Sequence, residues 1–242
     1  MNNLMKTILN ALSIILLVYG LQACSFNAIR GDGHIIEKEI EISDYNAFKF
    51  SGDASMIYEQ KTDEAPYLRV EIDENLFPLL IIESDDATLS IRNKDNINPT
   101  KYNIYTNSSG LEKLNVSGSI KAHLKGKLVT NDLNVQTSGS ANIQADELLC
   151  NLFKSNISGS GDITLAGKAN QVHSSISGSG KLKALQMVAD SVYCRVSGSG
   201  NFEVNATKYL KVNISGSGKV KYLGDPRIDQ SISGAGEVFR AE

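Results

Sequence analysis

The sequence predicts an all-β protein, a parallel β-helix of about seven coils of about 20 residues each, behind an irregular β-rich N-terminal cap. Three observations carry this expectation. First, a Ser-Gly-Ser tripeptide or close relative begins at Ser117, Ser138, Ser158, Ser177, Ser197, Ser215 and Ser233, at spacings of 21, 20, 19, 20, 18 and 18 residues. Second, apolar residues alternate with polar ones on both sides of each copy, which is the period of a strand with one buried face. Third, 20 Gly against 4 Pro, 7% aromatic residues without Trp and 41% hydrophobic residues suit a repetitive β structure with a core, not a collagen-like or disordered chain.

Residues 1–23 read as a lipoprotein signal peptide. Lys6 supplies the positive start, and the mostly apolar stretch 8–18 is shorter than the ~20 residues a bilayer crossing needs. Leu21-Gln22-Ala23-Cys24 resembles a bacterial lipobox, in which Cys24 becomes the acylated first residue of the exported chain. Several acyl chains on one residue give stable attachment to a membrane. Residues 24–34 are small and polar and read as a tether. No acidic run follows Cys24, so the sequence leaves open which face of the membrane the domain occupies. The expected location is the cell envelope, at the outer membrane.

Residues 35–110 are expected to form the cap and a first coil. Phe48 and Phe50 precede Ser51-Gly52, and Met56 and Tyr58 follow at the offsets used by the later repeats, so residues 45–60 fit an early coil. Leu68, Val70 and Ile72 alternate, Pro78 interrupts, Asp85-Asp86 signals a turn before Leu89 and Ile91, and Asn98-Pro99 signals another. These are strands and hairpins placed to cover the open edge of a solenoid.

Residues 111–242 carry the repeat. With the residue before each Ser as position zero, that file reads Val116, Thr137, Ile157, Ile176, Val196, Ile214, Ile232. Six residues later the file is Ala122, Ile143, Ile163, Leu182, Phe202, Val220, Val238. The return segments are too short for helices, and 147–149 and 187–189 read as a third short strand. Gly118, Gly139, Gly159, Gly178, Gly198, Gly216 and Gly234 occupy one corner position, where the chain is expected to need φ > 0. In the last coil Gln230 and Arg240 fall in inward files, a device against edge-to-edge pairing, so end-to-end polymerisation is not expected.

At this point the chain resembles a bacterial family, the "putative auto-transporter adhesin, head GIN domain". The residues that carry the likeness are Phe50-Ser51-Gly52 with Tyr58, the segment Val70-Glu71-Ile72-Asp73-Glu74-Asn75-Leu76, and the Ser-Gly-Ser-Gly array, together spanning about residues 45–240. The resemblance implies a right-handed β-helix, often on a lipoprotein, and brings no catalytic residues with it.

Several function classes are disfavoured by the residues themselves. With 24 basic and 27 acidic residues and no basic block, nucleic acid is not an expected partner. The Ser-Gly corners lack the Lys-Ser/Thr ending of a phosphate loop and any Asp at fixed offset for calcium. His34, His123 and His173 do not converge, so neither metal nor cofactor is expected. Asp146, Asp162, Asp190, Glu203 and Asp229 do not pair as a glycosidase requires, so no catalytic residue is assigned. Cys150 and Cys194 fall in different files about two coils apart, too far for a disulfide. What remains is a surface: Asn115, Gln136, Asn156, Ser175, Arg195, Asn213 and Ser231 stand just before position zero, facing out, as a flat polar ridge. The sequence therefore points to a non-enzymatic envelope lipoprotein, an adhesin or ligand-presenting β-helix whose ridge offers amides to a glycan, peptidoglycan or protein. A structural or assembly component of the envelope and a carbohydrate-active enzyme are the alternatives.

Overall fold

The computed structural model describes residues 28–85 and 87–241; the expected signal peptide, Cys24 and the start of the tether lie outside the described residues. Seventeen strands dominate them, with a single 3-10 turn, Phe77–Leu79, formed where Pro78 interrupts the chain.

The cap is built from β1 (Ile29–Arg30), β2 (Ile35–Glu41), β3 (Ala47–Gln60), β4 (Tyr67–Asp73), β5 (Leu80–Asp85), β6 (Thr88–Asn93), β7 (Ile97–Asn98) and β8 (Tyr102–Ser108). Strand β3 is the early coil expected from its apolar offsets: Phe48, Phe50, Met56 and Tyr58 are all buried. The β5–β6 hairpin is antiparallel, with Ile82 opposite Ile91, and lays β6 parallel on β3 with Ile91 beside Phe50. The other half of β3 pairs in parallel with β8, which continues into an antiparallel sheet through β4 and β2. Leu68, Val70, Ile72 and Ile104 from this sheet close one end of the core.

The array follows as β9 (Lys113–Val129), β10 (Asp132–Gly139), β11 (Asn142–Gly159), β12 (Asp162–Gly178), β13 (Lys181–Gly198), β14 (Asn201–Gly216), β15 (Lys219–Leu223), β16 (Arg227–Gly234) and β17 (Glu237–Arg240). Every pairing in it is parallel, each strand with its own copy in the next coil. Register fixes the files as read from sequence: Val116 pairs with Thr137, Thr137 with Ile157, then Ile176, Val196, Ile214 and Ile232. The solenoid makes about six turns, close to the seven expected. The unequal repeat spacings are absorbed in the return segments, where the register shifts between Ala145 and Leu148 and between Ala184 and Val188. The corners stay aligned because they cannot shift. At Gly198 φ is +121°, and an added Cβ would lie 2.7 Å from the Gly178 carbonyl oxygen of the coil below.

Three places differ from the simple reading. Part of the expected tether is docked: β1 pairs with β7, and the Gly33 N–H donates to the buried Asp73 carboxylate (2.9 Å), which also accepts from the Thr100 N–H (2.7 Å). Burial alone would raise the Asp73 pKa, but these bonds hold it below the usual carboxylate range. The inward files are not wholly apolar: Ser155 and Ser174 stack in the core and bond each other at 2.6 Å. Finally, the last coil is open. Register puts Gln230 over Val212 and Arg240 over Tyr222, and Ile228 and Ile232 beside them remain 38% and 39% exposed, with no further strand over them among the described residues.

Candidate functional site

The outward file expected as a ridge is a true register column. Asn115 pairs with Gln136, Gln136 with Asn156, and the file runs on through Ser175, Arg195, Asn213 and Ser231. Its shape is not a ridge. The side chains immediately before and after position zero both point outward, and the buried residue between them leaves a floor. The result is a trough of about 430 Å³. Asn115, Gln136 and Asn156 form one wall, Ser117, Ser138 and Ser158 the other, and the floor is the backbone and carbon edge of Val116 and Thr137.

The cap extends this trough in a way sequence reading missed. Lys49 pairs with Asn115 and with Ser90, and Ser51 pairs with Arg92, so Lys49, Ser90 and Arg92 continue the walls while Phe50 and Ile91 continue the floor. Lys49 could have been found, since it precedes Phe50, the position-zero residue of the early coil. Ser90 and Arg92 could not, because nothing repetitive in the cap announces that β6 stacks on β3.

The amides in the wall are available. Among the described residues, the side chains of Asn115, Gln136, Asn156 and Asn213 make no hydrogen bond to protein, whereas Asn170 and Asn151 in another file do bond each other, at 2.8 Å. Unbonded amides repeated at the ~4.8 Å rung spacing form a row of donors and acceptors without an internal ladder.

A second, smaller depression of about 210 Å³ begins at Asn156, one file over. Its walls are Lys154, His173, Tyr193 and Lys211 on one side and Asn156, Ser175, Arg195 and Asn213 on the other, above the buried Ser155, Ser174 and Cys194. His173 packs on Tyr193 with ring centroids 4.3 Å apart, and Tyr193 on Tyr209 at 5.8 Å. Burial, and then the Lys154 ammonium, hold the His173 imidazole below its usual range. Cys194 and Cys150 are both free; burial pushes the Cys194 thiol well up, and burial with Asp132 pushes Cys150 up to about 12.

The residues weighed for chemistry are placed apart. Asp146 binds His123 at 2.7 Å, Asp162 binds Lys183 at 3.3 Å, Asp190 binds Lys208 at 2.8 Å and Asp229 binds Lys211 at 3.3 Å. Four of the five candidate carboxylates are thus engaged by a cation or imidazole on the surface. Among the described residues no group of three or more His, Cys, Asp or Glu could hold a metal ion, and no helix is long and apolar enough to cross a membrane.

A capped parallel β-solenoid with troughs of about 430 and 210 Å³ beside its corners places the chain among repetitive all-β proteins. The chain belongs to the family described as "putative auto-transporter adhesin, head GIN domain", whose model matches residues 44–226. Among solved structures it is similar to a "putative lipid binding protein" from Parabacteroides distasonis ATCC 8503, at 33% identity and a TM-score of 0.77, over 89% of this chain and 100% of that one. It is similar also to a "putative adhesin" from Parabacteroides merdae ATCC 43184, at 31% identity and TM-score 0.71, over 89% and 99%. A "putative adhesin" from Bacteroides fragilis NCTC 9343 shares the fold at 24% identity and TM-score 0.83, over 88% and 100%. None of the curated proteins matches the chain.

Proposed function

We propose that this protein is a non-enzymatic adhesin-type binding domain of the bacterial envelope, held to the outer membrane by lipid on Cys24, that binds glycan along its corner trough. The observation that carries the reading is the unbonded amide row, Asn115, Gln136 and Asn156, over a floor of carbon. A sugar ring has the same two-sided character, with C–H faces for the floor and hydroxyls for the walls. The lipid-binding name of the Parabacteroides distasonis relative suggests another occupant. An acyl chain is favoured by enclosure, and an open trough would leave one side of it in water.

The experiment is an array of glycans, peptidoglycan fragments and lipid vesicles probed with the exported form and with its Asn115→Ala/Asn156→Ala variant. Retention of a glycan or peptidoglycan by the parent and its loss in the variant is the expected result. Equal binding by both, or binding to vesicles alone, overturns the glycan reading. Cell fractionation tests the tether: Cys24→Ser is expected to move the protein from the membrane to the soluble fraction.

A further inference from the structure

The second depression carries a chemistry that the first does not. On strands β11 to β14 the outward file three residues before position zero reads Lys154, His173, Tyr193, Lys211, one rung apart each. The file two residues on reads Asn156, Ser175, Arg195, Asn213 in the same register. Cations therefore flank an aromatic step on both sides of a trough whose floor is the buried Ser155, Ser174 and Cys194. Lys211 is neutralised by Asp229 at 3.3 Å, and Asp229 also accepts from the Tyr209 hydroxyl at 3.1 Å. Among the described residues Lys154 and Arg195 make no ion pair, on a chain whose net charge is −3. Elsewhere on the solenoid Lys183, Lys208 and Lys219 each meet a carboxylate while Lys121, Lys168, Lys181 and Lys221 meet none among the described residues, so what sets this depression apart is two unpaired cations beside stacked aromatic rings.

We propose that this depression is a binding site for acidic polysaccharide, a linear polymer with carboxylates on its sugar rings. The proposal rests on the glycan reading above and names the class of sugar. The C–H face of a ring packs on the exposed parts of His173 and Tyr193, which stand 4.3 Å apart as a short aromatic step. A ring carboxylate on one side meets the Arg195 guanidinium, planar and suited to bidentate contact, and the next carboxylate meets the Lys154 ammonium. Asn156 and Asn213 supply neutral donors and acceptors between them. Depressed by its burial and by Lys154, His173 is an uncharged ring at neutral pH and serves as a stacking face, not a third cation. A neutral glycan has no use for the two unpaired cations. An anionic lipid headgroup would use them but not the paired rings of His173 and Tyr193, which stand in register on neighbouring coils.

The test is titration with polygalacturonate, its fully methyl-esterified form and phosphatidylglycerol vesicles. The protein is used without residues 1–23; the solved relatives consist almost wholly of the part that aligns with this chain. Polygalacturonate is expected to bind in low salt, with affinity falling at least ~10-fold on esterification, at least ~10-fold in Lys154→Gln/Arg195→Gln, and several-fold in Tyr193→Ala. Lys208→Gln, a cation in the return segment, is expected to bind as the parent does. All of these are surface positions, and unchanged far-UV circular dichroism confirms that each variant is folded. Failure to bind polygalacturonate, equal binding of the ester, or equal loss in Lys208→Gln overturns the proposal, as does binding to the vesicles alone. If a neutral glycan is held through Asn115 and Asn156 while polygalacturonate is not, this inference fails and the proposed function stands. If no glycan of either kind is held, both fail.

Discussion

Gly198→Ala is the sharpest test of the stacked corner. The residue sits at φ +121°, a conformation that L side chains rarely adopt, and this alone costs ~1–3 kcal/mol. The new Cβ would lie 2.7 Å from the Gly178 carbonyl oxygen, where ordinary contact begins at 3.4 Å. That oxygen cannot simply move aside, because it accepts the Ser199 N–H at 2.9 Å and holds the corner of one coil to the next. Forcing the rungs apart is an overpacking event of ~1–3 kcal/mol. The two together give ~2–6 kcal/mol. For a domain of this size each kcal/mol lowers Tm by ~2–4 °C, so a drop of ~12 °C sits at the centre of the range. Gly126→Ala is the control, since Gly126 has φ +74° but nothing within 4 Å of its would-be Cβ. It carries the backbone cost alone, ~1–2 kcal/mol. Both are read by thermal denaturation followed by far-UV circular dichroism. A Gly198→Ala loss no larger than that of Gly126→Ala would refute the claim that carbonyl-over-glycine stacking fixes the corner.

Two further outcomes follow from buried polar groups. Ser174→Ala strands the Ser155 hydroxyl in the core and is expected to cost ~1–3 kcal/mol in urea denaturation, whereas Ser155→Ala/Ser174→Ala removes both partners and returns to within ~1 kcal/mol of the parent; a double variant as unstable as the sum of the singles would contradict this. Asp73 has a folded pKa below its ordinary value, so its contribution to stability is present above pH ~4 and is lost as pH falls through the folded value. Asp73→Asn is therefore expected to be less stable than the parent at pH 7, with the gap in Tm narrowing as the pH is lowered toward 3; a gap that stays constant with pH would show that the carboxylate charge is not what holds Gly33 and Thr100.

Much of the array was legible because a solenoid repeats its own physics. Each coil presents the same inward alternation, so the file from Val116 to Ile232 can be read off by aligning the Ser-Gly corners, and register confirms it residue by residue. The glycine file was legible for the same reason, although sequence supplied only half of its cause. Positive φ is a property of one residue, but the carbonyl beneath Gly198 belongs to the coil below and becomes visible only when the coils are stacked. The cap was legible as strands and turns, not as pairings: β6 lies on β3 and Asp73 reaches back to Gly33. Neither contact has a repeat to announce it, and residues 29–33 read as tether in the sequence for that reason although they are docked.

The candidate surface divides along the same line. Sequence determined which residues face outward at each corner, because period two assigns every side chain to one face of its strand. It could not determine that the Asn115 file is the wall of a trough, since concavity depends on how sharply the coil bends and on Lys49, Ser90 and Arg92 arriving from the cap. Nor could it bring His173 against Tyr193, or leave Lys154 and Arg195 without a carboxylate while Lys211 has one. Those are relations between neighbouring coils, set by the rung spacing and by rotamers chosen in three dimensions. A one-dimensional pattern specifies the direction of a side chain, and only the assembled stack specifies what it meets.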